Sequence, residues 1–175
     1  RNALYAAQRI IVENYLSEKY AISIGTNDGF GTTAGYDVGF FEDFRGIGTA
    51  DGVDKVTSSA SNALEITEFT NTMAAGAWVM FAHDGPAHGA VATELGEPEI
   101  SSRWSRDWYV EVSLDGTADD GSVSVDLVFD FDTAGLTFSG NVTDYVLLFR
   151  EDTGGDFVRK FAQGYTVEGT EKVVI

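Results

Sequence analysis

Hydrophobic residues recur at helical spacing through the first twenty positions of the chain. The apolar stripe and its immediate neighbours are Leu4, Ala7, Ile11, Tyr15, Val12 and Leu16. Arg9, Glu13 and Ser17 occupy another face. This pattern predicts an amphipathic helix over residues 1–20, about five turns long, that packs its stripe against the rest of the same domain.

After Tyr20 the pattern changes to short apolar runs separated by breaks rich in Gly, Asp and Ser, which favour turns. The predicted strands are residues 21–24, 64–69, 77–82, 108–114, 122–131, 143–150, 157–162 and 165–168, with a further short apolar run at 172–175. Short strands at this spacing predict a mainly β, antiparallel, jelly-roll-like sandwich as the body, residues 21–175. With the helix, this body forms a single domain.

The clearest alternation lies in residues 123–131. It places one set of side chains on a single face, namely Val123, Val125, Leu127, Phe129 and Phe131, and mainly polar residues on the other. Such a strand is buried on one face and belongs to an antiparallel sheet.

Charge narrows the range of partners. Lys and Arg total 11 against 28 Asp and Glu, a formal charge of -17, so nucleic acid and anionic membrane surfaces are repelled. No apolar stretch approaches the roughly 20 residues of a membrane-spanning helix, which argues against direct membrane insertion. Cysteine is absent, which excludes disulfides and thiolate chemistry but is compatible with secretion.

Seven segments, in this order along the chain, carry a resemblance to a known family. They are residues 9–20, 44–48 with Gly46-Ile47-Gly48, 51–52, 78–85, 103–110, 145–149 and 152–157. Together they resemble a repeat-associated domain of large secreted and cell-surface proteins of Bacteroidetes-like bacteria, often adjacent to laminin-G-like or concanavalin-like modules. The resemblance implies a β-rich extracellular module without an assigned catalytic mechanism.

Candidate catalytic groups are few. The two histidines stand in His83-Asp84-Gly85-Pro86-Ala87-His88, which could bind a metal or move protons, although a turn after strand 77–82 is the favoured interpretation. The carboxylates that could serve as a glycosidase pair are Glu97, Glu99, Asp126, Asp130 and Asp132, and solvent-facing positions are favoured for them. An enzyme is therefore the class that the sequence supports least.

Two acidic loops could supply oxygen ligands for calcium. The residues concerned are Asp115, Asp119 and Asp120 in the first loop and Asp152 and Asp156 in the second. Ordinary turns are the favoured interpretation, calcium is the alternative, and no cofactor is required.

Aromatic residues supply the remaining candidates. On an alternating strand Trp104, Arg106 and Trp108 share a face, which would place Arg106 between two indoles as a structural stack or, alternatively, a sugar-stacking platform. A second group is interpreted as loop anchors or an interface with another module, and consists of Phe30, Phe40, Phe41 and Phe44.

The sequence as a whole predicts a non-enzymatic, extracellular structural or adhesion module of a larger surface protein or assembly. Its expected partners are neighbouring modules or subunits of that assembly. The alternative is a carbohydrate-binding module that uses the Trp104 and Trp108 platform, with glycans as the partner.

Overall fold

A computed structural model describes residues 5–25, 30, 39–68, 73–114, 117–118, 123–151, 154–160, 164, 166–168 and 172–174, and structural statements below concern these residues. The helices are α1 (Ala6–Tyr20), α2 (Phe131–Ala134) and a 3-10 turn at Val142–Asp144. The strands are β1 (Glu42–Thr49), β2 (Lys55–Val56), β3 (Ser58–Ser61), β4 (Leu64–Glu68), β5 (Trp78–His83), β6 (Ala90–Val91), β7 (Arg103–Trp104), β8 (Trp108–Leu114), β9 (Thr117–Ala118), β10 (Val125–Asp130), β11 (Leu147–Phe149), β12 (Val158–Lys160), β13 (Thr166–Glu168) and β14 (Lys172–Val174).

Two five-stranded antiparallel sheets form the body. The helix-side sheet has the strand order β2-β1-β5-β8-β9, and the outer sheet has the order β13-β14-β10-β4-β3. Strands β2 and β3 are separated only by Thr57, so the chain passes from the edge of one sheet to the edge of the other at that residue. The predicted mainly β, antiparallel sandwich with an N-terminal helix is therefore confirmed.

The inner faces of the two sheets enclose the larger core. Ile47, Val79 and Phe81 of the helix-side sheet are fully buried against Leu64 and Ile66 of the outer sheet. Strand β10 adds side chains from alternating positions, as its pattern predicts, and these are Val125, Leu127 and Phe129, with Val123 just before the strand. The predicted face ends there, because the chain turns into α2 at Phe131.

Strand β5 is buried on both faces, since α1 covers the other side of its sheet. Trp78, Met80 and Ala82 point toward the helix, where they form a second core with Ala7 of α1 and with Phe44. The molecule thus has three layers, which are helix, helix-side sheet and outer sheet.

The Gly46-Ile47-Gly48 segment is explained by this layering. Ile47 points into the core between the sheets, whereas a Cβ at Gly46 would lie 3.2 Å from Ile11 of α1. A Cβ at Gly48 would lie 2.2 Å from Cε3 of Trp78. Because both residues are glycines without a Cβ, the helix and the Trp78 indole can approach the sheet closely.

Helix α1 packs through the predicted stripe, in which Ala7, Ile11 and Tyr15 contact the second core, but the buried face extends to different neighbours from the predicted ones. Ala7 is buried as expected, but Asn14 and Ser17 are also buried, whereas Val12 and Leu16 are exposed. The buried side-chain amide of Asn14 has a hydrogen-bond partner within the helix, because it donates to the Ile10 carbonyl oxygen at 2.9 Å. Hydrophobic spacing could not indicate that the polar residues Asn14 and Ser17 extend the buried face of the helix.

The segment after α1 is not a strand, contrary to the prediction for residues 21–24. Ala21 adopts the left-handed conformation, with φ of 52°, and ends the helix. The Ile22 amide then donates to the Ser17 carbonyl oxygen at 3.1 Å, while the Ser17 hydroxyl donates to the Ile22 carbonyl oxygen at 2.6 Å. These bonds form a helix C-cap and occupy groups that a strand would need.

Candidate functional site

The two predicted indoles lie in an aromatic cluster between strands β7, β8 and β10. The ring centroids of Trp104 and Trp108 are 5.9 Å apart. Phe129 contacts both rings, and Phe131 lies 5.0 Å from Trp104 in an edge-to-face arrangement. The Trp108 indole N–H donates to the Ser61 carbonyl oxygen at 3.3 Å. These contacts make the pair part of the packing at the rim of the sandwich.

His88, rather than Arg106, packs against the two indoles. Its ring centroid lies 5.5 Å from that of Trp104 and 5.8 Å from that of Trp108. Arg106 instead donates from Nη1 to His88 Nε2 at 2.9 Å and from Nε to the Pro86 carbonyl oxygen at 2.8 Å. The predicted position of Arg106 is wrong because strands β7 and β8 are separate, so strict alternation does not extend from residue 104 to residue 108.

Burial and the neighbouring positive charge of Arg106 favour the neutral form of His88. A guanidinium can only donate, so the contact with Arg106 requires a free lone pair on His88 Nε2, whereas Asn62 Oδ1, also 2.9 Å from Nε2, can only accept. Burial, followed by the positive charge of Arg106 and then His83, lowers the pKa of His88 to about 4. His83 is likewise engaged, because its Nδ1 accepts from the Gly85 amide at 3.1 Å.

We expect an NMR titration of the His88 ring to show a midpoint near pH 4. Because the folded pKa lies below the value of about 6.5 in an unfolded chain, the unfolded state binds the proton first. The free energy of unfolding should therefore decrease as pH falls from about 6.5 to about 4. A His88→Gln variant assigns the resonance and should reduce this dependence. A His88 midpoint near 6.5 would contradict the neutral arrangement.

Beside the aromatic cluster, two arginines and two carboxylates form a closed charged ring, which sequence analysis missed. Arg103 Nη1 lies 2.6 Å from Asp107 Oδ1, and Arg150 Nη2 lies 3.0 Å from Asp107 Oδ2. Glu94 completes the ring by contacting both guanidinium groups. Both guanidinium carbons also pack over the Phe157 ring, at 4.7 and 4.4 Å from its centroid.

The charged ring connects distant parts of the chain. Arg150 is 56 positions from Glu94 and 43 from Asp107, so no local spacing reveals it. The side chains of Arg103 and Asp107 are only 9% and 11% exposed, and burial raises the pKa of Asp107 even though both arginines oppose this shift. Asp107 is further held by Asp84, whose carboxylate accepts from the Asp107 amide at 3.1 Å.

The calcium hypothesis falls mainly outside the described part of the chain. Asp115, Asp119, Asp120 and Asp152 lie outside the described residues, and Asp156 is exposed. Among the residues that are described, no three His, Asp or Glu side chains are grouped in a way that could hold a metal ion. Calcium binding thus stays a prediction.

The four phenylalanines predicted as loop anchors or interface residues have different environments. Phe44 is buried, at 4% exposure, with its ring 4.7 Å from the fully buried Phe30. Phe40 is half-buried and lies 5.9 Å from Tyr109. Phe41 is 50% exposed. Phe30 and Phe44 are core residues, and Phe41 is the member of the set that presents its ring to solvent.

Phe41 borders a groove between the second half of α1 and the start of β1, which we call the helix–strand groove. Its volume is about 510 Å³, and its lining residues are Tyr15, Glu18, Lys19, Phe41, Glu42, Asp43, Phe44 and Arg45. Three carboxylates and two cations thus surround an aromatic floor.

The outer face of α1 is the second unusual surface. Val12, Leu16 and Tyr20, at intervals of four, are 41%, 39% and 60% exposed, and Tyr5 lies at the start of the helix. Ile22, just beyond the helix, is also exposed. Half of the ten large exposed hydrophobic residues in the described part of the chain therefore lie between Tyr5 and Ile22.

Comparison with known proteins adds no relative. No protein-family model, curated protein or solved structure matches the chain. None of the described helices is long and apolar enough to cross a membrane.

Proposed function

We propose that this chain is a non-enzymatic structural or adhesion module of a larger extracellular surface protein or assembly, and that the outer face of α1 contacts its neighbour there. The observation that carries the proposal is the row of exposed apolar side chains, Val12, Leu16 and Tyr20, on a helix whose opposite face is already packed. A contiguous exposed apolar surface is typical of an interaction site, whereas scattered single residues are not.

The free energy of burying apolar surface favours contact between the outer face of α1 and a partner. Burial of apolar surface contributes about 25 cal/mol per Å², or about 1.5–3 kcal/mol for a large side chain that is fully removed from water. Val12, Leu16 and Tyr20 are already partly covered by the helix, so each would contribute less than this. Several such side chains in one row nevertheless form a suitable centre for an interface with a polar rim.

The proposed extracellular location rests on two supports. The formal charge of -17 favours solubility and limits nonspecific association at a surface. The resemblance to secreted, repeat-associated domains of bacterial surface proteins agrees with the same location.

The test is a paired substitution on the outer face of α1 in the native protein of the producing organism. Val12→Glu and Leu16→Glu both change exposed positions. The free energy of unfolding of the double variant should therefore lie within about 1 kcal/mol of that of the parent chain. The double variant should nevertheless fail to join the surface assembly. Fractionation and electron cryo-microscopy measure its incorporation.

The matched control introduces the same two charges elsewhere on the surface. Val53 and Val158 are 81% and 49% exposed, and their replacement by Glu should leave assembly intact. Full assembly of the α1 variant would contradict the proposal. Turnover of a polysaccharide or ester by the purified chain would also contradict it, if a single carboxylate substitution abolished that activity.

A further inference from the structure

We propose that the helix–strand groove is the part of this interface that recognises a basic segment of the partner protein, with an Arg or Lys side chain held between aromatic rings and carboxylates. The inference rests on the proposed function, because the groove shares α1 with the apolar outer face. It adds the chemistry of the partner.

The two cations of the groove are already engaged by groups of this chain. Arg45 Nη2 lies 2.5 Å from Asp43 Oδ1, and Arg45 Nη1 donates to the Phe44 carbonyl oxygen at 2.9 Å. Lys19 donates to the Tyr15 hydroxyl at 2.7 Å and lies 5.2 Å from the centroid of that ring. Neither cation is available to attract an anionic ligand without losing these contacts.

A carboxylate of the groove remains available. Glu42 is exposed, and no described cation lies within ion-pair distance of it. The hydrogen bond to Tyr15 is the main cause that raises the pKa of Lys19, and the negative charge of Glu42 makes a smaller contribution in the same direction. With carboxylates outnumbering cations by three to two, the groove lining carries a net negative charge, which is complementary to a basic ligand.

The aromatic residues select the type of cation. Phe41 presents a half-exposed ring, and a guanidinium or ammonium over an aromatic face gains cation-π attraction while its aliphatic stem covers the ring. The same arrangement already occurs twice in this protein, where Arg103 and Arg150 pack over Phe157 beside carboxylates. A basic side chain therefore fits the groove better than a simple metal ion.

Charge also disfavours a second copy of this chain as the occupant. Two copies would each carry -17, and like charges facing one another across an interface weaken association. The partner is therefore expected to be a different protein, or a different module, with a basic and apolar binding segment.

The backbone fixes the geometry of the groove at its β1 side. The pairing of β1 with β5 shifts register between Glu42 and Arg45, and Asp43 within this bulge has φ of 48°. A β-bulge changes the direction in which successive side chains point. Here it places the aromatic and charged residues 41–45 along one wall of the groove.

The experiment titrates the folded chain with a capped six-residue peptide of alternating Arg and Leu, followed by amide NMR at 0.15 M salt, where long-range attraction is screened. The control peptide carries citrulline, the neutral counterpart, in place of each Arg. We expect saturable shifts confined to residues 15–19 and 41–45, and at least tenfold weaker binding of the citrulline peptide.

Matched variants separate the groove from general acidity. Glu42→Gln and Glu151→Gln remove one negative charge each from exposed positions, yet only the first should weaken binding, by at least fivefold. Phe41→Ala should have a similar effect, while Val53→Ala, at an exposed site outside the groove, should change affinity by less than twofold.

Three results would overturn the inference. Shifts spread over the whole acidic surface, or equal weakening by both Glu→Gln variants, would indicate nonspecific attraction. A neutral β-glucan hexasaccharide that shifts residues 41–45 when the Arg peptide does not would indicate a glycan site. If the peptide fails while the Val12→Glu and Leu16→Glu variant still loses assembly, the structural role stands and only the basic partner is rejected.

Discussion

A Gly48→Ala variant is expected to lose about 3 kcal/mol or more of folding free energy, because the new methyl group has no space. Its carbon would lie 2.2 Å from Cε3 of Trp78 and 2.7 Å from the Ala77 carbonyl oxygen. The second contact involves the backbone of the residue just before β5, so a rotamer change of the indole alone cannot relieve it. Urea denaturation followed by fluorescence measures the loss as a lower midpoint.

The control for Gly48 is Gly164, where an added Cβ meets no atom within 4 Å. Gly164→Ala should change stability by less than about 0.5 kcal/mol. Because Gly48→Ala could prevent folding, the double variant with Trp78→Leu provides a second measurement. If the contact with the indole matters, the double variant should be less destabilised than the sum of the two single changes. Equal midpoints for the Gly48 and Gly164 variants would refute the argument.

The second large effect is expected at Asp107, the less exposed of the two carboxylates in the charged ring. Asp107→Asn keeps the shape of the side chain but removes the charge that faces Arg103 and Arg150. Two guanidinium groups with little solvent access would then share Glu94 alone. Breaking a buried ion pair by removing one partner typically costs about 3–5 kcal/mol, and we expect the lower end because Glu94 is partly exposed.

Thermal and urea denaturation check this prediction, with Asp54→Asn as the control. Asp54 is exposed, and the same change of charge there should alter the free energy of unfolding by less than about 0.5 kcal/mol. The difference between the variants should persist in 0.5 M salt, because largely buried charges are screened weakly. Equal stability of the Asp107 and Asp54 variants would show that the ring contributes little to the fold.

The roles of Gly48 and Asp107 differ in how readily they can be predicted from the sequence. Gly46-Ile47-Gly48 was recognisable as a motif, but β1 was absent from the predicted strands because glycine is a poor strand residue. Strands β4, β5, β8 and β10 were predicted to within a few residues. Their strong alternation or continuous apolar character is retained in the fold, because each strand packs at least one face against a core.

The predicted position of Arg106 in the aromatic site was wrong for a physical reason. Period-two alternation holds only within one strand, and the break between β7 and β8 moved Arg106 away from the indoles. His88, from the loop after β5, came to lie against both rings. A loop residue with no periodic pattern carries no local signal for such a contact.

The amino-acid sequence by itself determined the N-terminal helix, the mainly antiparallel sandwich and the acidic character of the surface, since these depend on periodicity and composition. Tertiary structure alone decided that Asn14 and Ser17, rather than Val12 and Leu16, complete the buried face of α1. It also decided how Glu94, Arg103, Asp107 and Arg150 meet, and where the helix–strand groove opens. Such contacts join residues far apart in the chain, and their free energy depends on geometry that local sequence does not encode.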